Sequence, residues 1–212
     1  MSLSDYIDHT NLKATATPTD IESLCNEAKT YGFYAVCVNG CHVPLVREQL
    51  KDSQVKIAAV VGFPLGAMST EAKVFEAKES VENGADEIDM VINIGWLKSK
   101  MNDAVRDEIK AIKTAIGDNI LKVIIETCYL TQEEKETACL LAVEAGADFV
   151  KTSTGFGTGG ATFDDVKLMK RMVGDKAQIK ASGGVKDKET ALKYIELGVS
   201  RIGTSSGPSL VK

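Results

Sequence analysis

The 212-residue sequence lacks any long apolar run and any excess of positive charge. A membrane-spanning helix needs roughly 18 consecutive apolar residues, and no stretch approaches that length, so we expect no membrane partner. The N-terminal segment MSLSDYIDHT carries acids and has no apolar core of a signal peptide, which favours a cytoplasmic location. A formal net charge of −5 argues against nucleic acid as the main partner, because basic surfaces dominate that binding.

Histidines and paired cysteines are also scarce. The chain has two histidines and five cysteines without a Cys-x-x-Cys pair, so we expect free thiols and a reducing compartment. Cys37, Cys41 and His42 are close together in the chain, but their spacing matches no common zinc motif. The simpler interpretation is one half-buried strand cysteine followed by two loop residues. We therefore predict no metal site.

Short strand-like segments alternate with helix-like segments along the whole chain, without a linker or a low-complexity stretch. Most of the strand-like segments are rich in Val and Ile, which is typical of parallel strands covered by helices. The eight predicted strands are Tyr6–Asp8, Phe33–Val38, Lys56–Val61, Glu87–Val91, Leu121–Ile125, Phe149–Lys151, Gln178–Ala181 and Arg201–Gly203.

The helical segments between them are amphipathic. Val105, Ile109, Ile112 and Ile116 recur at the spacing of one helix face. Eight such strand–helix units predict a single compact (β/α)8 TIM barrel over residues 1–212, smaller than the usual size of about 250 residues. The competing architecture is an open doubly wound sheet, but no GxGxxG motif follows an early strand.

Ionisable residues stand at or near the carboxyl ends of several predicted strands, where barrel enzymes carry their active sites. Lys151 ends the sixth strand, Lys180 lies late on the seventh, and Asp8 ends the first. Asp89 shares one face of the fourth strand with Glu87, because side chains alternate along a strand. Charges that point into a barrel are costly unless they are paired or functional.

A lysine in such a place suggests imine chemistry. A neutral amine attacks carbonyls, and the resulting imine accepts electrons during carbon–carbon cleavage. The ammonium of Lys180 beside Lys151 would lower the pKa of Lys151 by about two units, and burial would lower it by another unit or more. The alternatives are that Lys151 reaches solvent with its amine and that Asp89 only neutralises the lysines.

Glycine- and serine-rich loops follow the seventh and eighth strands, where such barrels often bind phosphate. They read Ser182-Gly183-Gly184-Val185 and Gly203-Thr204-Ser205-Ser206-Gly207-Pro208, and Thr154-Gly155-Phe156-Gly157 follows the sixth strand. Glycine lets backbone N–H groups approach an oxyanion, and serine adds donors. The alternative is ordinary turn chemistry, since both residues are common in turns.

In combination, the motifs VKTSTGFGTGGAT, IKASGGV, GADEIDMVINIG and YIDHTNLK resemble those of the deoxyribose-phosphate aldolase family, from about Tyr6 to Ser206. The resemblance implies a class I aldolase on a TIM barrel that needs no metal or organic cofactor. Such an enzyme reversibly cleaves 2-deoxy-D-ribose 5-phosphate to D-glyceraldehyde 3-phosphate and acetaldehyde. Its partners are then a small phosphorylated sugar and acetaldehyde, and exposed barrel helices could pair in a homodimer.

The same resemblance assigns roles by motif. Lys151 matches the imine-forming lysine, Lys180 the lysine that perturbs it, and Asp89 the acid/base aspartate. The positions that match the surroundings of the phosphate and the pocket are Gly155, Gly183, Gly184, Ser205, Ser206, Asp8, Thr10 and Cys37.

The chain departs from the family pattern at two places. Phe156 stands where some members carry a lysine, and the chain has no tyrosine at its C-terminal end, its last being Tyr194. Two rival functions stay open at this point. One is another phosphate-binding barrel enzyme, such as a sugar-phosphate isomerase or a different imine-forming aldolase. The other is a non-enzymatic sugar-phosphate sensor, which would have no use for paired lysines.

Overall fold

The computed structural model describes residues 2–212, which form a closed barrel of eight parallel strands in chain order. The strands are β1 (Ile7–Asn11), β2 (Ala35–Asn39), β3 (Lys56–Val61), β4 (Glu87–Val91), β5 (Ile120–Ile124), β6 (Phe149–Lys151), β7 (Gln178–Ser182) and β8 (Arg201–Thr204). β8 pairs with β1 and closes the barrel. The prediction of a (β/α)8 barrel is therefore confirmed.

Helices follow the strands and cover the outside of the barrel. They are α1 (Pro18–Tyr31), α2 (Val43–Gln49), α3 (Thr70–Glu82), α4 (Ile94–Lys98), α5 (Asn102–Ile116), α6 (Gln132–Glu144), α7 (Phe163–Val173), α8 (Lys188–Glu196) and α9 (Gly207–Val211). Across residues 2–212, none of these helices has the length and apolarity to cross a membrane.

Local sequence explains where α1 begins and ends. Thr17 and Asp20 form a reciprocal capping box around Pro18, which occupies the first turn. Gly32 ends the helix in the left-handed conformation, with φ of 63°. The N–H of Phe33 donates to the carbonyl of Ala28 at 3.0 Å, so Phe33 still belongs to the helix end. For that reason β2 begins two residues later than we predict.

The apolar core lies between the barrel and its helices. The predicted stripe of α5 is buried there in full, together with Ile88 and Met90 of β4. Val150 and Ile179, which alternate with the lysines along their strands, lie in the same cluster. Inside the barrel, a second and smaller apolar cluster is limited to Leu12, Cys37, Ala58 and Val60.

Candidate active site

Charged side chains occupy much of the barrel interior. Four cations face three carboxylates, and each residue is at most 4% exposed: Lys122, Lys151, Lys180, Arg201, Asp8, Glu87 and Asp89. Barrel interiors are usually filled by branched apolar residues, and buried charges are costly unless paired. We call this set the interior network. Its burial costs desolvation free energy, which suggests that the charges serve a function.

Asp89 lies at the centre of the interior network. Its Oδ1 accepts a hydrogen bond from Lys122 Nζ at 2.8 Å, and its Oδ2 accepts from Lys151 at 2.7 Å and from Lys180 at 2.8 Å. The strand register places Lys151 beside Lys180. Burial by itself would raise the pKa of Asp89, but the three ammonium groups outweigh it and hold that pKa well below its usual range.

The layer beneath Asp89 is built from Asp8, Glu87 and Arg201. Arg201 donates to Asp8 Oδ1 at 2.8 Å and to Glu87 Oε2 at 3.1 Å, and Lys180 donates to the other oxygen of Asp8. The guanidinium also stacks 3.5 Å from the ring centroid of Tyr34. Burial opposes the charge of Asp8, yet Lys180 and Arg201 lower its pKa to about 2.

The two neighbouring lysines differ in basicity. Burial lowers the pKa of Lys151, and the Lys180 ammonium acts in the same direction, whereas Asp89 partly opposes both. Burial also disfavours the charge of Lys180, but Asp8 and Asp89 together raise its pKa above the usual value. Lys151 is thus the lysine that loses its proton more easily. Burial is a larger cause than Lys180, which reverses the order that we predict from sequence.

Lys151 lies at the floor of a cavity of about 300 Å³ at the carboxyl ends of β6, β7, β8 and β1. Of the residues predicted from sequence, those lining the cavity are Lys151, Thr10, Gly155, Gly183, Gly184, Ser205 and Ser206. Lys180, Asp89, Asp8 and Cys37 are buried beside or beneath it and do not line it. The structure therefore brings the predicted residues together in one region of the barrel.

Close backbone contacts shape the loops around this cavity. Gly183 and Gly184 have φ of 84° and 82°, a conformation that side chains rarely adopt. The chain at Gly160 passes so near that a Cβ there would lie 2.2 Å from the carbonyl oxygen of Gly183. Ser182 Oγ donates to the carbonyl of Ser153 at 2.6 Å. These contacts tie the loops after β6 and β7 to each other.

Glu126 holds the loop after β6 from the other side, and we did not predict it. It is buried, and its backbone has the uncommon positive φ of 52°. Its carboxylate accepts from the N–H of Thr154 at 3.3 Å and from the Thr154 hydroxyl. The N–H of Phe156 in turn donates to the Thr154 hydroxyl at 3.0 Å, so Glu126 sets the course of the chain past Gly155.

Other residues missed by sequence reasoning carry positive charge. Lys122 interrupts the apolar strand Ile-Leu-Lys-Val-Ile, and Arg201 begins β8; a charge inside a buried strand was the signal available for both. Lys13 and Lys186 line the cavity and are exposed. Nothing in the sequence distinguishes them from ordinary surface lysines. They supply positive charge at the mouth of the cavity, which Phe156 also lines.

A pair of aromatic rings and a buried thiol lie close to the cavity. Phe156 packs edge-on against Phe63, with ring centroids 5.3 Å apart. Cys37 is fully buried rather than half-buried, with Sγ 3.9 Å from Asp89 Oδ2, and burial raises the pKa of its thiol. Cys41 is exposed. Within residues 2–212, no group of three or more His, Cys, Asp or Glu side chains is arranged to hold a metal ion.

A barrel with a buried lysine of lowered pKa that lines a cavity has the features of an imine-forming enzyme. Residues 4–208 match the family model described as DeoC/LacD family aldolase. The chain belongs to this aldolase family, and it is a lyase.

Named relatives and solved structures agree. The deoxyribose-phosphate aldolase of Finegoldia magna is 58% identical over 212 residues and covers both chains completely. That of Carboxydothermus hydrogenoformans is 59% identical, over 99% of this chain and 94% of the relative. The deoxyribose phosphate aldolase of Aeropyrum pernix, described as a tetramer, superposes with a TM-score of 0.90 at 31% identity, over 99% of this chain and 89% of the other.

Proposed function

We propose that this aldolase cleaves 2-deoxy-D-ribose 5-phosphate reversibly to D-glyceraldehyde 3-phosphate and acetaldehyde, through an imine on Lys151. The observation that carries the proposal is the position of Lys151. Burial lowers the pKa of its amine, which contacts Asp89 at 2.7 Å and borders the cavity. The full-length relatives at 54–59% identity that bear the name deoxyribose-phosphate aldolase support the substrate.

The proposed reaction begins when the neutral amine of Lys151 attacks the C1 aldehyde of the open-chain sugar. Loss of water from the carbinolamine gives the imine. Asp89, acting through a water molecule, takes the proton from the C3 hydroxyl as the C2–C3 bond breaks. The bonding electrons move into the imine, glyceraldehyde 3-phosphate leaves, and protonation of the enamine followed by hydrolysis releases acetaldehyde and frees Lys151.

We assign the phosphate to the loops after β6, β7 and β8. Their glycines and serines, Gly155, Gly183, Gly184, Ser205 and Ser206, border the cavity together with the ammonium-bearing side chains of Lys13 and Lys186. Thr10 lines the β1 side of the cavity, and its hydroxyl donates to the carbonyl of Asp8 at 2.8 Å. Cys37 and Asp8 support Asp89 and Lys180 from below.

The wider setting follows from the same proposal. We treat residues 1–212 as one catalytic domain with a role in deoxyribonucleotide breakdown. The five cysteines, all free, fit a reducing cytoplasm. A homodimer stays a prediction, and sedimentation of the purified chain would test it against the tetramer described for the Aeropyrum pernix relative.

The decisive experiment is reductive trapping. The protein is incubated with acetaldehyde and cyanoborohydride, and the modified residue is located by peptide mass spectrometry. We expect Lys151 to gain an ethyl group faster than any other lysine, and we expect Lys151→Ala to show neither this fast labelling nor sugar cleavage. Lys176→Ala removes an exposed lysine outside the cavity and should behave like the parent protein. Faster labelling of a different lysine, or cleavage of ribose 5-phosphate in preference to the deoxy sugar, would contradict the proposal.

A further inference from the structure

Lys122 lies in the middle of the interior network and contacts no part of the cavity. It is fully buried on β5, and its ammonium touches carboxylates of two different layers. It donates to Asp89 Oδ1 at 2.8 Å, pairs closely with Glu87, and lies 4.0 Å from Asp8 Oδ2. It is thus placed to act on the reacting residues without meeting the substrate.

Because Lys122 contacts Asp89, the two oxygens of that carboxylate have different partners. Oδ1 is taken by Lys122, so Oδ2 remains for Lys151 and Lys180. A carboxylate held from one side by a fixed cation cannot rotate freely. Lys122 therefore keeps one oxygen of Asp89 directed at the amine of Lys151.

A count of charges in the interior network gives a second and independent argument. With every group ionised, four cations face three carboxylates, which leaves one uncompensated positive charge in a region that is at most 4% exposed. Uncompensated buried charge is costly, so one cation is favoured to lose its proton. Three of the four cations contact at least two carboxylates, whereas Lys151 contacts Asp89 alone.

We propose that Lys122 is a positioning residue, a permanently charged partner that orients Asp89 and completes the neutrality of the barrel interior, so that Lys151 can be the uncharged amine. The inference rests on the proposed function, because it concerns the readiness of Lys151 to form an imine. The direction of the perturbations agrees with it: although burial opposes the charge of Lys122, Asp89 and Glu87 raise its pKa above the usual value.

The groups that face Lys122 determine what its removal does. Glu87 and Asp89 face it from β4, Asp8 from β1 and Lys180 from β7. Lys151, Arg201 and Cys37 lie one contact further on. Without Lys122, three cations and three carboxylates remain, and the interior is neutral only when Lys151 is protonated.

The test is the pH dependence of acetaldehyde trapping on Lys151, measured for each variant beside the parent protein in the same buffers. In Lys122→Met, we expect the midpoint to move about one pH unit upward, with roughly tenfold slower trapping at pH 7, because the interior network loses a cation that contacts Asp89. Glu87→Gln removes one negative charge and should move the midpoint downward by a smaller amount. The double variant should return towards the parent midpoint.

Lys73→Met is the matched control, since Lys73 is a fully buried, ion-paired lysine outside the barrel. Its midpoint should not move. The inference is overturned when Lys151 of the parent protein is labelled but the midpoints of Lys122→Met and Glu87→Gln coincide with that of the parent. Where Lys122→Met does not fold, Glu87→Gln alone decides by the same criterion. Absence of label on Lys151 in the parent protein contradicts the proposed function instead.

Discussion

Two groups of buried charges in this molecule differ in their ratio of cations to carboxylates. In the shell between barrel and helices, Lys73 of α3 donates to Glu108 of α5 at 2.9 Å and to the carbonyl of Val91 at 2.9 Å. Both side chains are fully buried, so burial lowers the pKa of Lys73 and raises that of Glu108. Each partner is drawn towards its neutral form, and one cation meets one anion.

In the interior network the cations outnumber the carboxylates, and the lysine with a lowered pKa is Lys151. Asp89 and Asp8 have lowered pKa values despite their burial, because several cations surround them. Burial lowers the pKa of Lys151 as it does that of Lys73. The two lysines differ in whether a ligand can reach the amine, since Lys151 borders a cavity whereas Lys73 is fully buried against Glu108. Burial makes a lysine weakly basic, but only a cavity makes that property useful.

The largest contrast should come from Lys180→Met. It removes the cation between Asp8 and Asp89, so Lys151 becomes the one cation left on Asp89 Oδ2 and stays protonated. We expect kcat for deoxyribose phosphate cleavage to fall by about 10²- to 10⁴-fold, the range of a lost proton-transfer group. Steady-state kinetics on folded protein measures this. Lys73→Met should keep kcat, and equal losses in both variants would refute the contrast.

Lys73→Met should instead reduce stability. It leaves the Glu108 carboxylate buried without its cation, which typically costs about 3–5 kcal/mol of unfolding free energy. Urea denaturation followed by circular dichroism would measure it. The double variant Lys73→Met, Glu108→Leu should recover most of the loss, because a well-packed apolar pair avoids the desolvation of both charges. A double variant as unstable as the single one would argue against an electrostatic cause.

The pH dependence of imine trapping in the parent protein tests whether the interior network acts on Lys151. An ammonium cannot attack a carbonyl, and the pKa of Lys151 is lowered, so imine trapping should increase with pH and level off below the pKa of free lysine, about 10.4. The rate is lost as pH falls through the pKa of Lys151. A trapping profile that keeps rising to that of free lysine would show that the interior network does not act on this amine.

Lys186→Ala should have the smallest effect, because this lysine is exposed and belongs to neither group. Loss of a cation at the cavity mouth should raise KM for the phosphorylated sugar by up to about tenfold, within the modest range of charge-assisted contacts in water. Trapping with acetaldehyde, which has no phosphate, should not change. An equal change for both substrates would place Lys186 outside the phosphate site. Lys176→Ala, also exposed, is the control.

The sequence by itself determined the architecture and pointed to Lys151 as the candidate for the reacting lysine. Strand and helix periods are local properties, so the eight strands were recognised and most boundaries lie within one or two residues of the prediction. Alternation along β4 placed Asp89 on the inner face, and the resemblance of the lysine motifs pointed to Lys151 and Lys180. The apolar stripe of α5 was likewise readable from a short stretch.

Only the tertiary structure decided which buried cation pairs with which carboxylate. Lys122 meets Glu87 and Asp89 because the register of β4 and β5 brings distant parts of the chain together, and Arg201 reaches Asp8 because β8 closes on β1. Glu126 and Lys186 became part of the site through loop packing that no local pattern encodes. Electrostatic interactions depend on distance and burial, and both arise only when the barrel has closed.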